Sequence, residues 1–461
     1  MFIHKGQQKT RREIGFFALV ILGLSSMIGS GVFVLLGPGA EIAGKLLPFS
    51  FLVAGILSIL VVAVYAEFTS AMPTSGSSLS LLFEAYGLGP LSFIVSWLVV
   101  LGNVAYSAIN GLGFGYYASL FLPVSPVVIA LVVIALVGVL NLKGVEQTVS
   151  LQNFVGGLLV LALTTIIILS FFQFDLSIPS YFKDLNLKGR GWIALFPIFS
   201  ALAVIYTSFI GVEDIAAVAG EVKKPAKTLP KALFTTITTA IVVFVLLSFV
   251  AVEVVSIDQL ATSDAALFLL GESLGPVAEI IVFIAVFLAT FTSVMVMTLV
   301  STRELHAIAE RGFLGGFLEK LNKARIPSRC LWVVVVLTAM LILTDSARFT
   351  AYLGNSLYLI GVVLISYAVI KMRKKRPYME RPYKVPLFPW IPIVVIVLGS
   401  FVLFFVSLKA LLATACWALF GFIIYLASWV DKQRIKLMLL GVLSLFLLVG
   451  LISVLYFGFI L

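Results

Sequence analysis

Apolar runs long enough to cross a bilayer recur from one end of this 461-residue chain to the other. A helix needs roughly 20 residues to span a hydrocarbon core about 30 Å thick. Thirteen segments answer that description, at 14–36, 46–72, 91–121, 124–141, 149–172, 191–220, 230–256, 276–302, 328–345, 347–370, 387–408, 410–430 and 437–461. They are apolar on all sides, whereas the strands of a β-barrel alternate apolar and polar over about ten residues. The fold class that follows is all-α, a polytopic integral membrane protein. Composition agrees, with 61% hydrophobic and 11% charged residues, against roughly 25% charged in soluble domains.

Orientation follows from where the positive charge lies, because cytoplasmic loops retain Lys and Arg. With the N-terminus inside, only Lys45, Lys183, Lys188, Arg190, Arg348 and Lys409 of the 31 basic residues fall outside. Residues 1–13 carry four basic residues and no small-residue cleavage site, which reads as a retained cytoplasmic end rather than a signal peptide. The chain is therefore placed in the cytoplasmic membrane. Its net charge of +10 does not point to nucleic acid, because the charge sits in short loops such as "KMRKKRPYMERPYK" at 371–384, where anionic lipid headgroups are the expected partner. Cys330, Cys416, His4 and His306 have no metal-like spacing, so neither metal nor cofactor is expected. The loops at 173–190, 221–231 and 303–329 are too short for a soluble domain, leaving one membrane domain over 1–461.

Two spans are interrupted. "MIGSGV" at 27–32 puts Gly29, Ser30 and Gly31 in the middle of span 1, and "SFIGVEDIA" at 208–216 puts Gly211, Glu213 and Asp214 inside span 6. Each opens a set of five spans, 14–172 and 191–370, which as odd-numbered sets have opposite topology; spans 11–13 at 387–461 lie outside the repeat. Glycine-interrupted spans at corresponding positions of inverted repeats point to a transporter's binding site. Unwinding at Gly29–Gly31 frees backbone N–H groups that favour a carboxylate, and unwinding at Phe209–Gly211 frees carbonyls that favour an ammonium. An α-amino acid satisfies both. The alternative for the glycines is close helix packing. For Glu213 and Asp214, whose burial costs roughly 2.5–3.5 kcal/mol per acid on insertion scales, it is a place at the cytoplasmic rim.

Further polar residues border this site. In span 3, Asn103, Ser107 and Asn110 form one stripe with Tyr106 beside it; Asn103 and Tyr106 are read as substrate contacts, and Ser107 and Asn110 equally as interhelical glue. In span 8, Thr290, Thr292 and Ser293 are candidates for a coupling cation, or bond their own helix backbone. Phe209 is read as an aromatic gate.

"IGSGVF" at 28–33, "PTSGSSLSLLFEAYGLGPLSFIVSW" at 73–97 and "SFIGVEDIAAVAGEVKKPAKTLPKAL" at 208–233 together resemble the amino acid, polyamine and organocation transporter superfamily. "SFIGVE", "LGNVA" and "LNKARIP" make the basic amino acid/polyamine antiporter branch the nearest likeness. The resemblance implies a ten-helix inverted-repeat core, alternating access, and an amino acid held between spans 1 and 6. It assigns Ile28, Gly29, Ser30 and Gly31 to the carboxylate, the backbone near Phe209 and Ile210 to the amino group, Asn103 to the side chain and Glu213 to proton linkage or gating. Thr207 and Met297 stand where members of that branch carry tryptophans, which removes the stacking an arginine side chain would use. Gly157 stands where some proton-coupled relatives have a lysine, so a proton, sodium and simple exchange all remain open. A polyamine or other organocation transporter is the alternative; a lipid flippase or membrane-embedded transferase fits less well, since Glu67, Glu84, Glu253 and Glu279 are scattered.

Overall fold

A computed structural model describes residues 14–72, 78–142, 149–174, 176, 181, 195–314, 316–322 and 326–428. Span 13, the basic residues 1–13 and residues 73–77 of the second motif lie outside the described residues. Apart from one parallel bridge between Ile14 and Val222, the described residues form helices, turns and connections. Span 1 comprises α1 (Phe16–Met27) and α2 (Ser30–Val34), followed by α3 (Leu36–Ala43); then come α4 (Leu47–Ala71), α5 (Ser78–Tyr86), α6 (Pro90–Ser119), α7 (Pro126–Leu142) and α8 (Val149–Gln173). Span 6 comprises α9 (Phe196–Ile205) and α10 (Asp214–Ala217). It is followed by α11 (Pro225–Val254), the short α12 (Ile257–Thr262) and α13 (Ala266–Leu274), and then α14 (Pro276–Glu310), α15 (Ser328–Ile342), α16 (Ala347–Lys375), α17 (Trp390–Leu403) and α18 (Leu408–Ser428).

Among the described residues, nine helical stretches are long and apolar enough to cross a membrane, and α7, α15 and α17 are shorter apolar helices. Together they account for twelve of the thirteen segments read from the sequence. Regular backbone is obligatory at these depths, where water cannot satisfy a free N–H or C=O. Proline opens α6, α11 and α14 at their first positions, where no intrahelical N–H bond is lost.

Packing sets these helices around the two interrupted spans. The centre of the bundle is α6, which lies against α14 and α16; α4 runs along α11, and α1 packs on α8 and α11. Lipid is as apolar as leucine, so helices associate through close packing and hydrogen bonds. The join of α6 to α18 shows both. Trp97 and Trp417 stack at 4.5 Å, and each indole Nε1 donates to the other's backbone carbonyl, at 3.1 and 3.0 Å. Gly421 permits this stack, because a Cβ there would lie 2.3 Å from Trp97 Cδ1.

The start of span 1 meets the segment after span 6, where Ile14 N–H donates to Glu221 O at 3.0 Å and Lys223 N–H to Ile14 O at 2.9 Å. Within the segment 371–388 several of the basic residues also find partners inside the protein. Arg373 Nε and Nη2 donate to Glu67 at 2.9 and 2.5 Å, Arg381 Nε lies 3.3 Å from the same carboxylate, and Val385 N–H donates to it at 2.8 Å. Arg376 pairs with Glu84 at 2.8 Å, and Lys371 sits over the Tyr86 ring. Glu67 is 3% exposed, and a carboxylate buried there needs compensating charge. That need turns two arginines inward. Nor is Glu253 solitary, since Lys45 lies 3.2 Å away, and Arg348 pairs with Glu41.

Candidate functional site

The interruption in span 1 is sharp. After Met27 the backbone leaves the helical region at Ile28 (φ −78°, ψ 79°) and Gly29 (φ −126°, ψ −147°), and α2 restarts at Ser30. Span 6 changes more gradually. α9 tightens into a 3₁₀ turn over Tyr206–Phe209, Ile210 is extended (ψ 143°), and Gly211 adopts φ 113°. Only glycine takes that last conformation readily.

These two breaks are in contact. A Cβ on Gly31 would lie 2.4 Å from Ser208 Cα, and one on Gly211 would lie 2.8 Å from Ser26 O. Glycine therefore brings two unwound backbones to van der Waals distance. A Cβ on Gly29 would meet Asn110 Oδ1, Ser293 Oγ and Tyr106 Oη at 2.8–2.9 Å, so the face of Gly29 is polar. The hydroxyls of Ser208 and Ser293 are buried without a hydrogen-bond partner. Buried hydroxyls of this kind normally have one, and here they flank Gly31 and Gly29. Ile28, Tyr106, Thr207, Phe209 and Met297 are all buried, so the region is closed to both faces in this conformation.

Side chains from neighbouring helices hold the breaks open. Tyr106 Oη donates towards Ser26 O at 3.4 Å, and Tyr117 Oη donates to Phe33 O at 3.0 Å. Glu213 Oε2 accepts from Gly211 N–H at 3.1 Å and from Tyr358 Oη at 3.4 Å. Asn355 of α16 carries the most. Its Nδ2 donates to Ala203 O and Val204 O at 2.8 Å each, and its Oδ1 accepts from Thr207 Oγ1 at 2.9 Å. Asn355→Ala removes all three bonds; Thr207 Oγ1 still donates to Val204 O at 3.2 Å, while Ala203 O loses this amide, and a buried group left unsatisfied costs about 1–3 kcal/mol. We expect it to cut substrate uptake by about tenfold or more at unchanged membrane abundance, measured as radiolabelled uptake per transporter.

Several residues sit differently from the sequence expectation. Asn103 does not line the glycine contact; its Nδ2 donates to Glu304 Oε2 at 2.8 Å. Ser107 bonds Thr298 at 3.3 Å, as interhelical glue would. Asn110 Nδ2 donates to Tyr106 O within its own helix, while its Oδ1 faces Gly29. Thr290 and Thr292 donate to Val286 O and Leu288 O, which leaves Ser293 as the span 8 hydroxyl turned to the break. Phe209 packs its ring against Phe51 and Phe244, at 6.4 and 5.4 Å, a wedge between α4 and α11. Asp214 has one carboxylate oxygen, Oδ2, without a partner. The described residues contain no group of three His, Cys, Asp or Glu side chains able to hold a metal ion.

Sequence reasoning missed Asn355, Tyr358 and Glu304. The first two were visible only as polar residues inside span 10. Glu304 was assigned to a loop because the apolar run stops at 302, yet α14 continues to Glu310.

Chemically, the site offers free N–H groups at the start of α2 beside carbonyls at the end of the 3₁₀ turn. That is a dipolar seat closed off from water.

Residues 14–429 match the amino acid permease family. The branched-chain amino acid permease of Bacillus subtilis is 31% identical over 442 residues, covering 91% of this chain and 93% of that protein. The serine/threonine exchanger of the same organism is 28% identical, over 87% of this chain and 92% of its own length. The human large neutral amino acids transporter small subunit 2 is also 28% identical, over 86% and 76%. All three are named for neutral amino acids, which corrects the expectation of a basic amino acid/polyamine branch: the short motifs that suggested it do not report the side-chain seat.

Proposed function

Because the chain belongs to the amino acid permease family, we propose that its substrates are neutral α-amino acids with branched aliphatic side chains, held between the breaks of spans 1 and 6. The chain is a multi-pass membrane transporter of amino acids and not an enzyme. One observation carries the assignment of the site: the two glycine-bearing interruptions touch, Gly31 against Ser208 and Gly211 against Ser26.

In this reading the substrate carboxylate meets the N–H groups of Ser30 and Gly31, with that of Gly29, which here donates to Met27 O at 2.9 Å, turning to it when substrate binds, and its ammonium meets carbonyls near Phe209 and Ile210. Tyr106, Asn110 and Ser293 supply hydroxyl and amide groups beside the carboxylate, and Thr207, Met297 and Gly211 border the remaining space. Met297 offers a flexible apolar surface in place of an aromatic ring. Glu213, with Asp214 beside it, keeps the span 6 break open through the Gly211 N–H. Residues 14–172 and 191–370 form two inverted repeats that rock about this seat. The cytoplasmic membrane, with the N-terminus inside, is the location the distribution of Lys and Arg supports.

Purified protein in liposomes tests the substrate class. Uptake of radiolabelled leucine should be competed by isoleucine and valine at concentrations about tenfold or more below those needed of lysine or putrescine. Stronger competition by lysine or putrescine would replace this reading with an organocation transporter.

A further inference from the structure

Glu304 is the buried carboxylate for which the substrate site has no use. It lies near the end of α14, 3% exposed, and its Oε2 accepts from Asn103 Nδ2 of α6 at 2.8 Å. Among the described residues no lysine, arginine or histidine forms an ion pair with it. The contrast with Glu67, equally buried but held by two arginines, is direct. An ionised carboxylate in a membrane interior demands a counter-charge, and the partner supplied here is a neutral amide.

The surroundings do not provide the missing charge. Over their described lengths α2, α6, α7 and α8, all packed on α14, contain no Asp, Glu, Lys or Arg. α15 contributes Arg329, whose Nη1 donates to Phe317 O, and α13 contributes Glu272, near the other end of α14. Within α14 itself Arg303 is exposed and His306 faces Glu310 and Glu319 O. The charged groups within electrostatic reach of Glu304 are Asp214 and Glu213 of span 6, with the Tyr65 hydroxyl of α4. More negative charge makes the need for a cation greater.

We propose that Glu304, paired with Asn103, binds and releases a proton during the transport cycle and so couples amino acid movement to a pH gradient. A primary amide suits both states of such a group: its N–H donates to the carboxylate, and its carbonyl accepts from the protonated acid. The step balances without a co-reactant. An O–H bond forms on the Glu304 carboxyl in one orientation of the transporter and breaks in the other, moving one proton with each substrate.

This inference rests on the transport reading above, and two assays on the same proteoliposomes separate the two. Counterflow, the exchange of labelled for unlabelled leucine at equal pH, reports substrate movement alone; accumulation driven by an imposed pH gradient reports coupling. Wild-type protein should perform both. Glu304→Gln should keep counterflow within about threefold, lose accumulation by about tenfold or more, and flatten the pH profile of uptake; Glu304→Asp should restore accumulation. Wild-type counterflow without pH-driven accumulation would overturn the proton assignment and leave the transport reading standing. So would Glu304→Gln accumulating as wild type does, or Glu304→Gln and Glu304→Asp both losing counterflow together with accumulation, the mark of a structural role. Absence of counterflow from the wild type would instead remove the transport reading.

Discussion

Gly31→Ala should cut uptake by about 5- to 150-fold while the protein still inserts. The added Cβ would lie 2.4 Å from the backbone Cα of Ser208, where no side-chain rotation relieves the overlap. The two breaks must then separate, and overpacking of this kind costs about 1–3 kcal/mol. That is about 5- to 150-fold in an equilibrium, applied where the substrate is held. Gly29→Ala should be milder. Its Cβ meets the ends of Asn110, Ser293 and Tyr106, which can yield, so a partial loss is expected. Radiolabelled uptake beside surface abundance checks both variants. Equal activity of Gly31→Ala and wild type would show that the contact between the breaks does not matter to transport.

The second large effect is on stability. Glu67→Ala removes the counter-charge of Arg381 and Arg373, whose side chains are 7% and 21% exposed and keep only backbone carbonyls as acceptors, and breaking a buried pair on one side costs about 3–5 kcal/mol. The Val385 N–H loses its acceptor as well. We expect a clear fall in the melting temperature of the detergent-purified protein. Glu84→Ala is the control. Its pair with Arg376 is about half exposed, at 48% and 52%, and such pairs contribute about 0–1 kcal/mol. A melting temperature for Glu67→Ala no lower than for Glu84→Ala would mean that the arginines reach water without cost.

These two residues show where the sequence could be read and where it could not. Gly31 was legible because a glycine in an apolar run is a local signal with a local meaning, and the apolar runs themselves needed only length and composition. Glu67 looked solitary because its partner Arg373 stands 306 residues away, and charge patterning along a sequence reports neighbours on the same helix. The loop 371–384 therefore shows its positive charge in the sequence but not the pairing of Arg373 and Arg381 with Glu67. Glu304 was lost for a different reason: hydropathy ends a span where charges begin, but a helix ends where its backbone bonds do, and α14 keeps them as far as Glu310. The direction of the Phe209 ring was not legible either. The 3₁₀ turn at Tyr206–Phe209 sets which way its ring faces, and the ring lies between Phe51 and Phe244. Asn355 needed the third dimension altogether, since the carbonyls it binds are freed only once span 6 unwinds.

The two-pole seat can be tested most directly with three competitors of one side chain: leucine, its decarboxylated amine 3-methylbutylamine, and 4-methylpentanoate, which lacks the ammonium. Competition against labelled leucine in proteoliposomes should require each one-pole analogue at about 100-fold or more the concentration of unlabelled leucine, because each leaves buried N–H or carbonyl groups without a partner at about 1–3 kcal/mol apiece. Competition by either analogue as effective as that of leucine itself would contradict it.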